Sequence, residues 1–173
     1  SENERRRSNV VDVSLSGTLH TGPLSHALTV GVQGNKVDNR FQGQAFNYAG
    51  TGNVQGTLFT PPAPDPLSMA TRDETRSIEA YLRDAIAIDE QTTLWLGLRY
   101  TRQQVDDGSE GTSFSQDYSA PWVSLSHKLQ GGTLLYASWG TGYKADVAPN
   151  NPFYVNRGQV QPALRSQQIE LGI

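Results

Sequence analysis

The feature that most constrains this chain is an alternation of apolar and polar side chains, repeated in long segments. Val11, Val13, Leu15 and Leu19 alternate with Asp12, Ser14, Ser16 and Thr18. Leu28, Val30 and Val32 alternate with Thr29, Gly31 and Gln33. Leu94, Leu96, Leu98 and Tyr100 alternate with Trp95, Gly97, Arg99 and Thr101, and Val123, Leu125 and the stretch Leu134 to Trp139 continue the pattern. A period of two sends one set to each face of a sheet. The alternation predicts seven strands, at about 9–20, 25–38, 76–88, 93–106, 118–128, 133–143 and 165–173. The third, IEAYLRDAIAI, is rich in helix formers. The polar break Asp89 to Thr92 and the clear strand after it make a β-hairpin the simpler reading. Asp84 fits poorly among Leu82, Ile86 and Ile88 on one face, and a bulge near it would correct the phase.

The connections add a second constraint. Thr21 to Leu24, Asp89 to Thr92 and Gln130 to Gly132 are short and carry turn residues. Between them lie long connections, at about 39–75, 107–117 and 144–164, the first containing TPPAPDP, where prolines forbid a regular ladder. Short and long connections thus alternate, as in outer-membrane barrels with short periplasmic turns and long extracellular loops. Long structureless loops are uncommon in compact soluble domains. Strand length agrees: a tilted membrane strand needs about 9–11 residues, against about 5–6 in soluble proteins. Tyr100, Trp122, Trp139 and Tyr143 sit near strand ends, where a barrel has interfacial aromatic girdles; ordinary β-propensity of aromatics is the alternative.

Composition removes other classes. The 173 residues include no cysteine, which excludes disulfide frameworks, zinc-thiolate sites and thiol nucleophiles. The formal net charge of -3 argues against nucleic acid as a partner. No run of about 18 apolar residues exists to form a transmembrane helix. SENERRRSN has no apolar stretch behind its arginines, so it is not a signal peptide. A mean hydropathy of -0.52 fits a soluble protein, but also a membrane barrel, where only alternate residues face lipid.

With the long loops outside, the first strand runs toward the periplasm and the seventh runs inward. Seven is odd, and such a sheet cannot close an antiparallel barrel by itself. An open sheet would expose two hydrogen-bonding edges to lipid. The expectation is therefore a fragment of a barrel.

Four stretches resemble the barrel of TonB-dependent outer-membrane receptors, particularly the ferric-siderophore branch. SLSGTLHTGPLSHALTVGVQGNK is similar to a family hairpin of the form x-H-x-L-x-x-G, with His26 and Gly31 in place and Gln33 where an aspartate is common. AYLRDAIAIDEQTTLWLGLRYTR resembles the hairpin in which Tyr81, Asp84, Gly97, Arg99 and Tyr100 match. In PWVSLSHKLQGGTLLYASWGTGYKAD, Pro121, Tyr136, Gly142, Tyr143 and Lys144 match, and Ser126 replaces an aromatic. In LRSQQIELGI, Glu170 and Gly172 match, preceded by a degenerate Gln161 to Leu164. The four occur in family order.

The resemblance implies an all-β fold: a partial antiparallel transmembrane β-barrel, about seven strands of a barrel of roughly 22 around an N-terminal plug. Residues 1–173 would be part of the barrel domain, with the plug absent. It implies a non-enzymatic receptor and transporter of the bacterial outer membrane, binding an iron-siderophore complex and energised through TonB. No cofactor is implied, since the iron travels within the siderophore. Its partners would be the ferric siderophore, its own plug and remaining strands, TonB, and outer-membrane lipid and lipopolysaccharide. Aromatic and cationic loop residues would contact ligand, giving Phe41, Phe46, Tyr48, Phe114, Tyr118, Phe153, Tyr154 and Arg157 as candidates. Cobalamin, haem or an oligosaccharide are alternative ligands. A soluble β-sandwich binding domain and a small outer-membrane barrel enzyme are alternative classes.

Other features have plainer readings. His20, His26 and His127 are separated by strand alternation and read as ordinary strand residues rather than a metal site. Asp106 to Gly111 is acidic but lacks EF-hand spacing, so it reads as a solvated loop. Gly140-Thr141-Gly142 has no following helix, as a nucleotide motif requires, and reads as relief of crowding on a curved wall. Asp12, Glu79, Arg83, Arg99 and Lys128 sit on polar faces and would line the lumen, pairing with each other or with a plug. Arg5-Arg6-Arg7 would meet lipopolysaccharide phosphates if extracellular, though a solvated segment is the simpler reading.

Overall fold

The computed structural model describes residues 4–43, 53–57, 69–148 and 152–173. Within them lies one seven-stranded antiparallel sheet whose spatial order follows the sequence. The strands are β1 (Arg5–Thr21), β2 (Leu24–Phe41), β3 (Thr71–Ala87), β4 (Thr92–Asp107), β5 (Thr112–Lys128), β6 (Leu134–Val147) and β7 (Val160–Gly172). All seven predicted strands are present and each is longer than predicted, mainly at the end away from the short turns.

The reason is visible on the outward face. Below, each strand carries an apolar band: Val11, Val13 and Leu15 on β1, Val30 and Val32 on β2, Leu94 to Tyr100 on β4. Above it the ladder continues unbroken, from Val11↔Gly34 to Arg5↔Arg40 and from Ile78↔Arg102 to Asp73↔Asp107. There the outward face turns polar, while the few apolar residues, Val10, Val37 and Val105, lie on the opposite face. A strand standing in water needs no apolar face, so the period-two signal disappears while the hydrogen bonds persist.

Two expectations change accordingly. The predicted long connection at 107–117 is a tight turn, Gly108 to Gly111, between two extended strands. Asp107 Oδ1 accepts from the backbone N–H of Ser109 and of Glu110, both at 2.9 Å, and Gly111 supplies a left-handed φ of 65°. No bulge occurs at Asp84: the registers β2–β3 and β3–β4 run through it without a shift. The register shift that does occur lies between Lys144 and Asp146, on β6.

There is almost no core. Ala148 is the buried apolar residue among those described, while Leu15 is 74% and Ile169 76% exposed. Among the described residues nothing packs as a second layer on the sheet, so it is not a β-sandwich. Among the described residues β1 pairs only with β2, and β7 only with β6. The apolar surface of such a sheet is stabilised only where lipid or another apolar phase covers it.

Candidate functional site

The polar face carries the chemistry. Register fixes its membership: Asp12, Gln33, Glu79, Thr101 and Tyr118 form one row across five strands. This face is the more enclosed one. On β5 its residues are half-buried from Thr112 to Tyr118, while the intervening ones are exposed. A depression of about 740 Å³ lies on it, lined by Thr29, Tyr81, Arg83, Arg99 and Trp122 among others.

Three aromatic rings lie over glycines of the neighbouring strand. A Cβ built on Gly31 would fall inside the ring of Tyr81, one on Gly97 inside that of Trp122, and one on Gly172 inside that of Tyr136. Each pair is also a register pair. The ring covers backbone that a glycine leaves bare, and the glycine lets the ring lie flat along the wall. Laid flat, Tyr81 donates to Asp12 at 2.9 Å, and the Arg83 guanidinium sits 4.9 Å from its ring centre. Tyr136 donates to Glu170 at 2.7 Å. Arg99 pairs with Glu79 at 2.9 Å. The predicted inner-face residues Asp12, Glu79, Arg83, Arg99 and Lys128 therefore share one face, with Asp12 and Arg83 meeting at Tyr81 and Arg99 paired separately with Glu79. Trp122 was expected in an outer girdle and instead points inward; Tyr100 and Trp139 do face outward.

Higher on the same face the β5–β6 ladder stops at Trp122↔Gly140. Above it Tyr118 stacks on Tyr143, with ring centres 5.3 Å apart, and donates to Gln103 at 3.2 Å. Gln116 reaches across to the carbonyl of Gln161 on β7. Several acceptors on this face are buried without a hydrogen-bond partner: Asn35 Oδ1, Asn39 Oδ1 and Gln116 Oε1.

The predicted ligand residues separate into groups. Phe114 and Tyr118 are not loop residues; they belong to β5 and point to the inner face, Phe114 opposite Val105. Phe41 ends β2 opposite Thr71. Phe153, Tyr154 and Arg157 lie exposed in the β6–β7 connection, where Arg157 N–H donates to the Tyr154 carbonyl at 3.3 Å. Phe46 and Tyr48 fall outside the described residues. Sequence reasoning missed Tyr81 and Trp122 as wall residues; their signal was a glycine at the facing register position, which a single strand does not show.

One pair breaks the outward apolar face. His26 Nδ1 and Asp84 Oδ2 are 2.8 Å apart, each side chain 15% exposed. The misfit at Asp84 is therefore the partner of His26 on the neighbouring strand. His127 instead meets Thr92 at 2.9 Å.

The model for the barrel of TonB-dependent receptor-like proteins matches residues 2–173. The chain belongs to the TonB-dependent receptor β-barrel family. That family works as receptors and transporters of the bacterial outer membrane rather than as enzymes. Among solved structures, the chain is similar to FpvA of Pseudomonas aeruginosa, solved with iron-loaded pyoverdines (TM-score 0.77, 20% identity over 98% of this chain and 22% of that one). It is also similar to BauA, the ferric preacinetobactin receptor of Acinetobacter baumannii (TM-score 0.76, 18% identity, 97% of this chain and 26% of that one). Fiu, a ferric-catecholate import receptor of E. coli, superposes with a TM-score of 0.70 at 14% identity, over 97% of this chain and 29% of that one. The chain thus spans less than a third of the length of these receptors. No curated protein matches it. Within the family frame, the polar face is the lumen wall and the apolar band faces lipid. The motif positions acquire physical roles: Gly31, Tyr81, Gly97, Tyr136 and Gly172 are the ring-on-glycine pairs, and His26 with Asp84 is the outward pair.

Proposed function

We propose that these strands form part of the wall of an outer-membrane receptor for ferric siderophores, energised through TonB, with the remaining strands and a plug completing the barrel. The observation that carries this reading is the division of the wall by height. An apolar belt fits the bilayer on one face, and a polar lumen with aromatic residues near its upper rim lies on the other. Phe114 and Tyr118, raised above the belt on β5 and facing inward, suit the flat, partly aromatic groups that chelate iron, and Arg157 suits their anionic oxygens. The unpartnered acceptors Asn35, Asn39 and Gln116 suit donors on a plug surface. The iron enters as cargo within the ligand; the wall needs no cofactor of its own.

The test is binding of ferric siderophores to the full-length receptor, comparing parent with Tyr118→Ala and Phe114→Ala. Each ring is expected to contribute about 1 kcal/mol, a loss of roughly fivefold in affinity for each single variant and about thirtyfold for the paired one. A receptor that takes up cobalamin, haem or an oligosaccharide and ignores ferric siderophores would contradict the ligand class.

A further inference from the structure

We propose that the depression in the lower lumen wall is a second site for the iron chelate, occupied in transit after the chelate leaves the rim. The proposal rests on the receptor reading above and adds a further site on the same path. The depression reaches Trp122, four residues below Tyr118 on β5, or about 14 Å along the strand at ~3.4 Å per residue. Its volume of about 740 Å³ falls within the range of small-molecule sites, roughly 300–1,000 Å³.

Small side chains hollow it out. Ala27, Ala85 and Ala120 line it, and Gly97 shares the row of Arg83 and Trp122. Tyr81, Trp95 and Trp122 stand around them on the same face. Tyr81 and Trp122 cover their glycines with one ring face and turn the other to the lumen, where a flat group can stack on it.

The polar groups decide what fits. Most are satisfied within the wall. Tyr81 donates to Asp12, Arg99 pairs with Glu79, Thr29 bonds Ser16 at 2.9 Å, and the Trp95 indole N–H donates to Ser126 at 3.4 Å. Two donors remain. The exposed Arg83 guanidinium sits on the Tyr81 ring and meets no carboxylate among the described residues, and the Trp122 indole N–H meets no acceptor there. A free cation and a free N–H set among rings select an acceptor-rich anion with flat apolar parts. An oxygen-ligated iron chelate with aryl or catecholate arms has that chemistry. Asp12 and Glu79 stand in the row above Arg99, and Arg83 in the row below it, so charge along the wall turns from negative to positive on the way down. With the other polar groups already satisfied, only one cation, one N–H and the rings hold the anion. It is therefore held briefly, as a station on a path must be.

The experiment uses the full-length receptor in energised cells and two radioiron-loaded probes, a ferric tricatecholate and a ferric trihydroxamate. Rim affinity and uptake rate are read separately. Arg83→Gln is expected to keep the parent's rim affinity, which also shows that the receptor has assembled, while uptake slows roughly fivefold or more. Arg83→Lys should recover most of the rate. Ala120→Cys, in a chain that has no cysteine of its own, reports occupancy directly: chelate in excess should slow its labelling by an aqueous thiol reagent while transport runs. Uptake by Arg83→Gln at the parent's rate, or labelling of Ala120→Cys indifferent to chelate, would overturn the proposal and leave the receptor reading standing. Normal uptake by Arg83→Gln together with new sensitivity to vancomycin would make the depression a seat for the plug, and would overturn it too. A parent that binds neither chelate would sink the receptor reading, and this proposal with it.

Discussion

Single positions on the wall are decided by the neighbouring strand. Gly31 and Gly34 look alike in the sequence, two glycines of one strand. A side chain at Gly31 would collide with the Tyr81 ring, while one at Gly34 would meet nothing within 4 Å. Gly31→Val should therefore destabilise the assembled receptor by about 1–3 kcal/mol, as overpacking does. Gly34→Val should be nearly silent, both read from the heat-modifiable gel shift. Asp107 illustrates a charge effect. Partial burial disfavours its charged form, but the Ser109 hydroxyl and the N–H groups of Glu110 and Ser109 outweigh this and lower its pKa below the ordinary 3.8. A lowered carboxylate pKa adds stability that is fully present above the unfolded value and is lost as pH falls through the folded one. Asp107→Ala should thus destabilise the β4–β5 turn at pH 7, and the difference from the parent should vanish as the pH drops below 3.8. Thermal melts of both proteins across that range would show it. The misfit at Asp84 was legible in the sequence; its partner His26, 58 residues earlier, was not, because only register brings them together.

Strands were legible wherever lipid imposes a pattern on them. The existence and order of all seven followed from period-two alternation, because one face must be apolar inside the bilayer. Their upper ends were not legible. At β5 the segment TSFSQD stands in water with a single aromatic among polar residues, so it read as a loop and took Phe114 with it. The same asymmetry predicts what substitutions do. Val13→Arg, on the lipid face, should cost about 2–4 kcal/mol if it lies near the bilayer midplane. Ser14→Arg, one residue on and facing the lumen, should be tolerated. Assembly of each variant into outer membranes, with denaturant midpoints, is the check.

Among the described residues the sheet has two faces, two unpaired edges and no interior. Its stability must come from lipid on one side, contents on the other, and strands beyond each edge. The 173 residues prepared alone in water should accordingly self-associate through β1 and β7, as exposed long edges do. Sedimentation of the isolated chain would detect this, and a folded monomer would argue against it. The division of the wall into a lipid-facing and a lumen-facing set is the central claim, and single-cysteine labelling in the outer membrane tests it most directly. The chain contains no cysteine, so each introduced thiol is unique within it. Cysteines placed singly from Val11 to Leu19 and from Leu94 to Tyr100 should alternate between lipid-phase and aqueous reagents with a period of two. From Arg72 to Arg76, above the belt, every position should react with the aqueous reagent. Aqueous labelling of both parities throughout Val11 to Leu19 and Leu94 to Tyr100 would show that no bilayer covers this face, and the account would fail.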